Sequence, residues 1–213
     1  MSLKLVSHPL VGDRLGYLRD RNTTPHQFRQ FLHQIAFFLF YEANRLSIPI
    51  EGKVETPLGW TTRTIFNDNK VALLPILRAG LGMIEFILDI LPNAEVYHLG
   101  LYRDEKTLHP VQYYSNLSST IEGKSVFILD PMIATAHTIH KCYEMVKEFK
   151  PSKITTLCVL ISPEGAQFLE NNASDMEIYA ASMDAGLTSE GFIYPGLGDA
   201  GDRYYGNKRD RKF

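Results

Sequence analysis

The sequence predicts an α/β protein built on a mainly parallel sheet flanked by helices. Three observations predict it. From Lys70 to Ala181 short apolar runs alternate with helical patterns, the texture of βαβ units whose crossovers cover a sheet. Two of the apolar runs end in a polar residue and a helix-entry turn, at Arg78 and at Asp130, and the carboxyl ends of strands are where open α/β sheets bind ligands. The composition is that of an ordinary globular chain, with 213 residues, 45% hydrophobic, 22% charged and a net charge of -2. At about 100–200 residues per domain this is one domain with a proper core.

The elements follow in order. Thr24-Pro25-His26-Gln27 is a capping-box pattern with proline at the first helical position, and Phe28, Phe31, Leu32, Ile35, Phe38 and Leu39 recur at helical spacing, so a long amphipathic helix runs to about Arg45. Residues 1–69 are accordingly expected to form an N-terminal helical part. Val71 to Leu77 reads as a strand, Leu81 to Leu91 as a helix and Glu95 to Tyr102 as a strand. The alternation repeats at Ser125 to Leu129, Ile139 to Phe149, Ile154 to Ile161, Ala166 to Leu169 and Glu177 to Ala181, which makes 70–182 the core. Tyr102 to Leu117 is polar and reads as a surface hairpin or a flap. Beyond Ala181 the helical period is lost and glycines cluster at 186, 191, 196, 198, 201 and 206, so 183–213 is expected to be a shaped, loop-rich lobe.

The composition excludes several classes. Ile35 to Tyr41, the longest uncharged apolar run of the first half, is far short of the ~20 residues that cross hydrocarbon. The first residues lack an extended apolar stretch and a small-residue cleavage site, so a cytoplasmic location is expected. Cys142 and Cys158 lie in apolar patterns and read as buried thiols rather than a disulfide framework. Near-neutral charge without basic runs argues against nucleic acid as a partner, because phosphate neutralisation needs a clustered cationic face.

The most informative segment is Ser125-Val-Phe-Ile-Leu-Asp130-Pro131-Met132-Ile133-Ala134-Thr135-Ala136-His137-Thr138. It is a strand ending in an acid, then a hydroxyl-bearing turn that opens a helix. Unpaired N–H groups at the helix start, with the Thr135 and Thr138 hydroxyls, suit a phosphate, and Asp130 suits sugar hydroxyls. An Asp/Thr turn that merely caps the helix explains this segment equally well. The turn Leu77-Arg78-Ala79-Gly80-Leu81-Gly82 places a guanidinium and close-approaching backbone at a second strand tip, fit for a dianion. Two anion-suited tips point to a doubly phosphorylated ligand. Gly196-Leu-Gly198-Asp199-Ala200-Gly201 matches G-x-G-x-x-G formally, but it lacks the following βαβ unit and acid of a dinucleotide fold. Such a loop can instead present backbone donors and acceptors to a flat ligand such as a nucleobase. His137 and His140, with Cys142 nearby, form only a weak metal pattern, since no second ligand pair has matching spacing.

Taken together, Pro75-Ile-Leu-Arg78-Ala-Gly-Leu-Gly-Met83, Asp130-Pro-Met-Ile-Ala-Thr135 and Tyr194-Pro-Gly-Leu-Gly-Asp-Ala-Gly-Asp-Arg203 resemble the uracil phosphoribosyltransferase family over nearly the whole chain. The resemblance implies a type I phosphoribosyltransferase fold, with an N-terminal helical segment and a C-terminal base-binding hood. It implies transfer of phosphoribosyl from 5-phosphoribosyl 1-diphosphate to uracil, giving UMP and diphosphate. Magnesium is the implied cofactor, held through substrate and water rather than by direct protein ligands. By resemblance, Asp130 through Thr138 hold the ribose hydroxyls and 5-phosphate, and Arg78, Ala79, Gly80 and Arg103 hold the diphosphate. The main chain at Ile193, Gly198, Asp199 and Ala200 reads uracil, with Asp199 also near the phosphoribosyl ligand. Arg78, Arg103, Asp130 and Asp199 are the implied catalytic set, and a homodimer or higher homo-oligomer is the implied assembly.

Three departures stand out. Ala134-Thr135-Ala136-His137-Thr138 replaces the family's usual Ala-Thr-Gly-Gly followed by Ser or Thr, so positive φ is expected to be harder to reach and His137 is expected beside the phosphate. Lys106, His109 and Gln112 stand where glutamate, glutamate and proline are frequent. Leu129 precedes Asp130, as in other uracil enzymes, where many phosphoribosyltransferases carry paired acids. Two competing functions are a non-catalytic nucleotide-binding regulator, which would want a basic face, and a phosphoribosyltransferase for another base such as orotate, which would want a cation in the hood. The sequence offers neither.

Overall fold

The computed structural model describes residues 1–103 and 110–207. The chain opens with β1 (Ser2–Leu5), α1 (Pro9–Arg19) and α2 (Pro25–Ala43), followed by an antiparallel hairpin of β2 (Ile50–Thr56) and β3 (Gly59–Ile65). Then come β4 (Val71–Leu77), a 3-10 turn at Ala79–Met83, α3 (Glu85–Ile90), β5 (Glu95–Val96), β6 (Leu99–Arg103) and β7 (Pro110–Ser115). The second half contains β8 (Ser125–Leu129), β9 (Met132–Ile133), α4 (His137–Lys147), β10 (Lys153–Ile161), α5 (Pro163–Asn172) and β11 (Glu177–Met183). It ends in the hood, with β12 (Gly186–Leu187), β13 (Ile193–Tyr194) and α6 (Ala200–Tyr205).

The main sheet has the order β1-β11-β10-β8-β4-β6-β7, with β5 on β4 and β9 on β10. Every pair in it is parallel except β6 with β7. Because the strands run the same way, the ends of β4, β8, β10 and β11 come to one edge, where Arg78, Asp130, Ser162 and Asp184 follow in turn.

Alternation along each strand divides the core into two layers. Leu73, Phe127, Leu157 and Tyr179 face the α2 side, where Phe28, Leu32, Ile35 and Leu39 are fully buried. Ala72, Leu74, Val126, Ile128 and Ile178 face the other side, packed by Ile139, Cys142 and Val146 of α4 and Leu169 of α5. Burying each large side chain here contributes roughly 1.5–3 kcal/mol. Both cysteines are free and buried, and burial pushes the thiols up, Cys142 and Cys158 alike.

The α2 N-terminus carries the complete capping box expected for it: the Thr24 hydroxyl accepts from the Gln27 N–H, and the Gln27 side chain accepts from the Thr24 N–H. Residues 1–69 are not only helical, however. They also supply the edge strand β1 and the β2–β3 hairpin. Within the Tyr102 to Leu117 segment β6 and β7 pair antiparallel, and residues 104–109, with Asp104, Glu105, Lys106 and His109 among them, lie outside the described residues. No helix among the described residues is long and apolar enough to cross a membrane.

Candidate functional site

At the carboxyl edge of the sheet a cleft of about 240 Å³ lies between the turn after β8 and the hood. Ala79, Asp130, Pro131, Met132 and Ala134 line it from the sheet side, and Ile193, Gly198, Asp199 and Ala200 line it from the hood. Nine residues singled out in the sequence therefore share one cavity. Gly191, Phe192 and Gly201 also line it; Gly201 belongs to the glycine-rich loop already noted, whereas Phe192 carries no polar group that would mark it in the sequence.

Asp130 follows β8 directly. Its backbone N–H donates to the Leu157 carbonyl at 3.2 Å, and its Oδ1 accepts the Met132 N–H at 3.2 Å. Asp130 is part-buried at the wall of the cleft, and desolvation there pushes its pKa up to about 7 against the lowering influence of the Met132 N–H. The loop beyond is pinned from behind by β10. The Pro131 carbonyl accepts from the N–H groups of Val159 and Leu160, both at 3.0 Å. Ser162, fully buried, donates its hydroxyl to the Ala134 carbonyl at 2.6 Å and accepts the Gly165 N–H at 2.8 Å as the cap of α5. Ser162-Pro163 opens α5 with a serine cap and proline in the first turn, three residues before the helix expected from Ala166, whereas Asp130 caps no helix and α4 has Ala136 at its N-cap.

Ala136 caps α4 with φ 63, in the left-handed region. The loop reaches this conformation with an alanine, at the strain expected where glycine is lost. His137 begins α4, and its ring lies 4.6 Å from that of Phe168 on α5, while the His140 ring meets the same phenyl edge-on at 5.5 Å. The pair thus brackets an aromatic ring, and among the described residues no three His, Cys, Asp or Glu side chains are grouped to hold a metal. Thr135 and Thr138 are half-buried at the same helix start, and the Ile133 side chain turns into the core.

Arg78 follows β4 in a turn pressed against the tip of β8. A Cβ on Gly80 would come within 2.2 Å of the Leu129 carbonyl oxygen, so only glycine allows that approach. The Arg78 side chain is 48% exposed; its Nη2 is 3.5 Å from Asp202 Oδ1, and its guanidinium lies 5.7 Å from the centre of the Tyr205 ring. Arg103 ends β6, paired with Pro110.

The hood sits on α2 and α3 through Tyr204. Its hydroxyl is 3.2 Å from His33 Nε2 and 3.4 Å from Glu85 Oε1, its carbonyl accepts from Arg29 at 2.8 Å, and burial pushes its own pKa up to about 12. Asp199 caps α6 by accepting the Asp202 N–H at 2.9 Å. The Tyr194–Pro195 and Leu77–Arg78 peptide bonds are cis.

The uracil phosphoribosyltransferase family model matches residues 5–207. The chain is 44% identical over 204 residues to the uracil phosphoribosyltransferase of Dictyoglomus turgidum, covering 96% of this chain and 99% of the relative. It is 43% identical over 208 residues to that of Thermosipho melanesiensis, covering 98% and 100%. The solved structure of the AQ2163 protein from Aquifex aeolicus superposes with a TM-score of 0.92 at 35% identity, covering 97% of this chain and 99% of that one. Family, full-length similarity and fold agree: the chain belongs to the uracil phosphoribosyltransferase family, and its activity is uracil phosphoribosyl transfer.

Proposed function

We propose that the cleft between the 130–138 loop and the hood is where uracil meets 5-phosphoribosyl 1-diphosphate, and that the reaction is carried by electrostatics rather than by a covalent nucleophile. The observation that carries this reading is the convergence on one 240 Å³ cleft of a strand-tip acid, a loop entering a helix N-terminus and a main-chain-rich hood. In the proposed arrangement Asp130 accepts the ribose hydroxyls, and the loop N–H groups with Thr135 and Thr138 hold the 5-phosphate. His137 contributes there through its backbone, since its ring packs on Phe168. Arg78 leaves its long contact with Asp202 for the diphosphate, joined by Arg103. Uracil lies against the main chain of Ile193 and of Gly198 to Ala200, with Asp199 holding that turn in shape.

As N1 of uracil bonds to C1 of the ribose, the bond from C1 to the diphosphate oxygen breaks, the electron pair leaves with the diphosphate, and the N1 proton passes to water. Negative charge grows on the leaving diphosphate, and a guanidinium already fixed beside it lowers the barrier. Magnesium carried on the diphosphate would neutralise part of that charge. The two carboxylates that line the cleft, Asp130 and Asp199, fit such a substrate-borne ion held through water. The assembly we propose is a homodimer or higher homo-oligomer, supported by the exposed apolar hairpin residues Leu58 and Trp60.

Purified protein with uracil, 5-phosphoribosyl 1-diphosphate and magnesium should yield UMP, with cytosine and orotate poor substrates. Arg78→Ala should lower kcat/KM by roughly 10²–10³ while thermal stability changes little. A folded Arg78→Ala variant with near-wild-type kcat/KM would remove Arg78 from the diphosphate site, and efficient orotate turnover would overturn the base assignment.

A further inference from the structure

Behind the hood lies an ion pair with no place in the chemistry above. Asp184 follows β11, its side chain only 3% exposed, and its backbone N–H is tied to the Ile161 carbonyl at 3.1 Å. Its carboxylate is gripped by both terminal nitrogens of Arg19, the last residue of α1: Nη1 donates to Oδ2 at 2.8 Å and Nη2 donates to Oδ1. The partners are 165 positions apart in sequence. Gly196, the turn residue of the hood, closes the ring. Its N–H donates to Asp184 Oδ2 at 2.8 Å, and its carbonyl accepts from Arg19 Nη1 at 2.8 Å.

Both polar groups of one peptide residue are thus held by the two members of one ion pair. The turn they hold is a sharp one: Gly196 has φ +64, and a Cβ there would approach the Ile193 carbonyl oxygen to 2.1 Å. The next carbonyl, that of Leu197, accepts from Arg203 at 2.8 Å, and Arg203 also donates to the carbonyls of Leu18 and Asp20 at the end of α1. Two arginines therefore tie consecutive hood carbonyls to the end of α1, while the residues on either side, Ile193 and Gly198 to Ala200, line the cleft.

We propose that Arg19 and Asp184 are positioning residues for uracil: they set the register of the base-reading main chain without touching the base. A buried ion pair adds little net stability over an apolar pair of similar volume, because desolvation offsets most of the attraction. What the bidentate fork supplies is fixed geometry, and a site built on main-chain donors tolerates only about half an ångström of displacement. The Arg19 and Asp184 charges face each other, and Arg203 adds its hydrogen bond to the neighbouring Leu197 carbonyl. The inference rests on the assignment of the 193–200 main chain to uracil.

The test measures KM for uracil, KM for 5-phosphoribosyl 1-diphosphate, kcat and thermal stability in the full chain for Arg19→Met, Arg19→Lys, Asp184→Asn and Ala200→Val. Arg19→Met and Asp184→Asn should raise the uracil KM at least tenfold and leave the other KM within twofold. Arg19→Lys, which keeps the charge but cannot hold Asp184 and the Gly196 carbonyl as a fork, should recover only part of the loss. An unchanged uracil KM in folded Asp184→Asn, or equal rises in both KM values, overturns the proposal. If Arg19→Met does not fold, the isosteric Asp184→Asn decides on the same readout. Ala200→Val separates the two readings: it should raise the uracil KM wherever the loop reads uracil, so no effect there refutes the loop assignment itself.

Discussion

Asp130 is costly to the ligand-free protein, and that cost is measurable. Its pKa moves from 3.8 to about 7, opposite to the usual direction for a folded carboxylate. The folded state therefore keeps a proton that the unfolded chain has lost between pH 4 and 7, so this group makes stability fall as pH rises through that window and stay flat above it. At about 1.4 kcal/mol per unit the full shift sets a ceiling near 4 kcal/mol, and the open face of the cleft reduces it to about 2 kcal/mol. Asp130→Asn should accordingly stabilise the protein at pH 8, raising Tm by about 4–8 °C, while lowering kcat/KM about 10–100-fold through the lost charge-assisted bonds to the ribose. Thermal scans from pH 4 to 8 check this, and a Tm that does not rise on substitution would refute it. The place of Asp130 in the cleft was legible because an acid ending an apolar run is unusual. The conformation of Ala136 was not: a left-handed alanine costs roughly 1–2 kcal/mol, and local preference cannot reveal that β10 and α5 hold the loop against that cost.

Among the elements, those buried against a layer were readable and those without a buried face were not. Val71–Leu77 and Ser125–Leu129 appear as β4 and β8 with the bounds their apolar runs suggested, and the capping box marked the start of α2 correctly. The β2–β3 hairpin escaped because its residues are mostly exposed on both faces, which leaves no period of two to detect. The expected helix from Leu81 to Leu91 is split into a 3-10 turn and the six residues of α3, since the packing of Gly80 against β8 tightens its start. Between elements, Ser162 joins the 130–138 loop to α5 with one hydroxyl. Ser162→Ala leaves the Ala134 carbonyl and the Gly165 N–H without that partner, so it should cost about 1–2 kcal/mol of stability and raise KM for 5-phosphoribosyl 1-diphosphate more than KM for uracil. Steady-state kinetics on both substrates tests it, and equal KM values to wild type would show that the Pro131 contacts with β10 suffice to hold the loop.

At the scale of the molecule, the order β1-β11-β10-β8-β4-β6-β7 collects strand tips from across the sequence onto one edge, an arrangement no local pattern encodes because pairing between distant strands is decided by burial. The motifs announced the cleft, but the restraint of the hood by α1 was invisible, since Arg19 and Asp184 are far apart in sequence and each alone reads as an ordinary charge. One part of the molecule remains uncovered. The β2–β3 ribbon exposes Trp60 at 69% and Leu58 fully, with Ile48 and Leu46 also bare at its base. A two-stranded ribbon is marginal in water without a surface to pack on, and grouped exposed apolar side chains mark interaction sites. A second copy of the chain is the partner expected from the proposed homo-oligomer. Trp60 is the single tryptophan, so its fluorescence reports on this surface alone. Emission should be blue-shifted in the native assembly and move to the red on dilution or in Leu58→Asp, which should sediment as a monomer. A red, dilution-independent emission from a protein that sediments as a dimer would place the subunit contact elsewhere on the molecule.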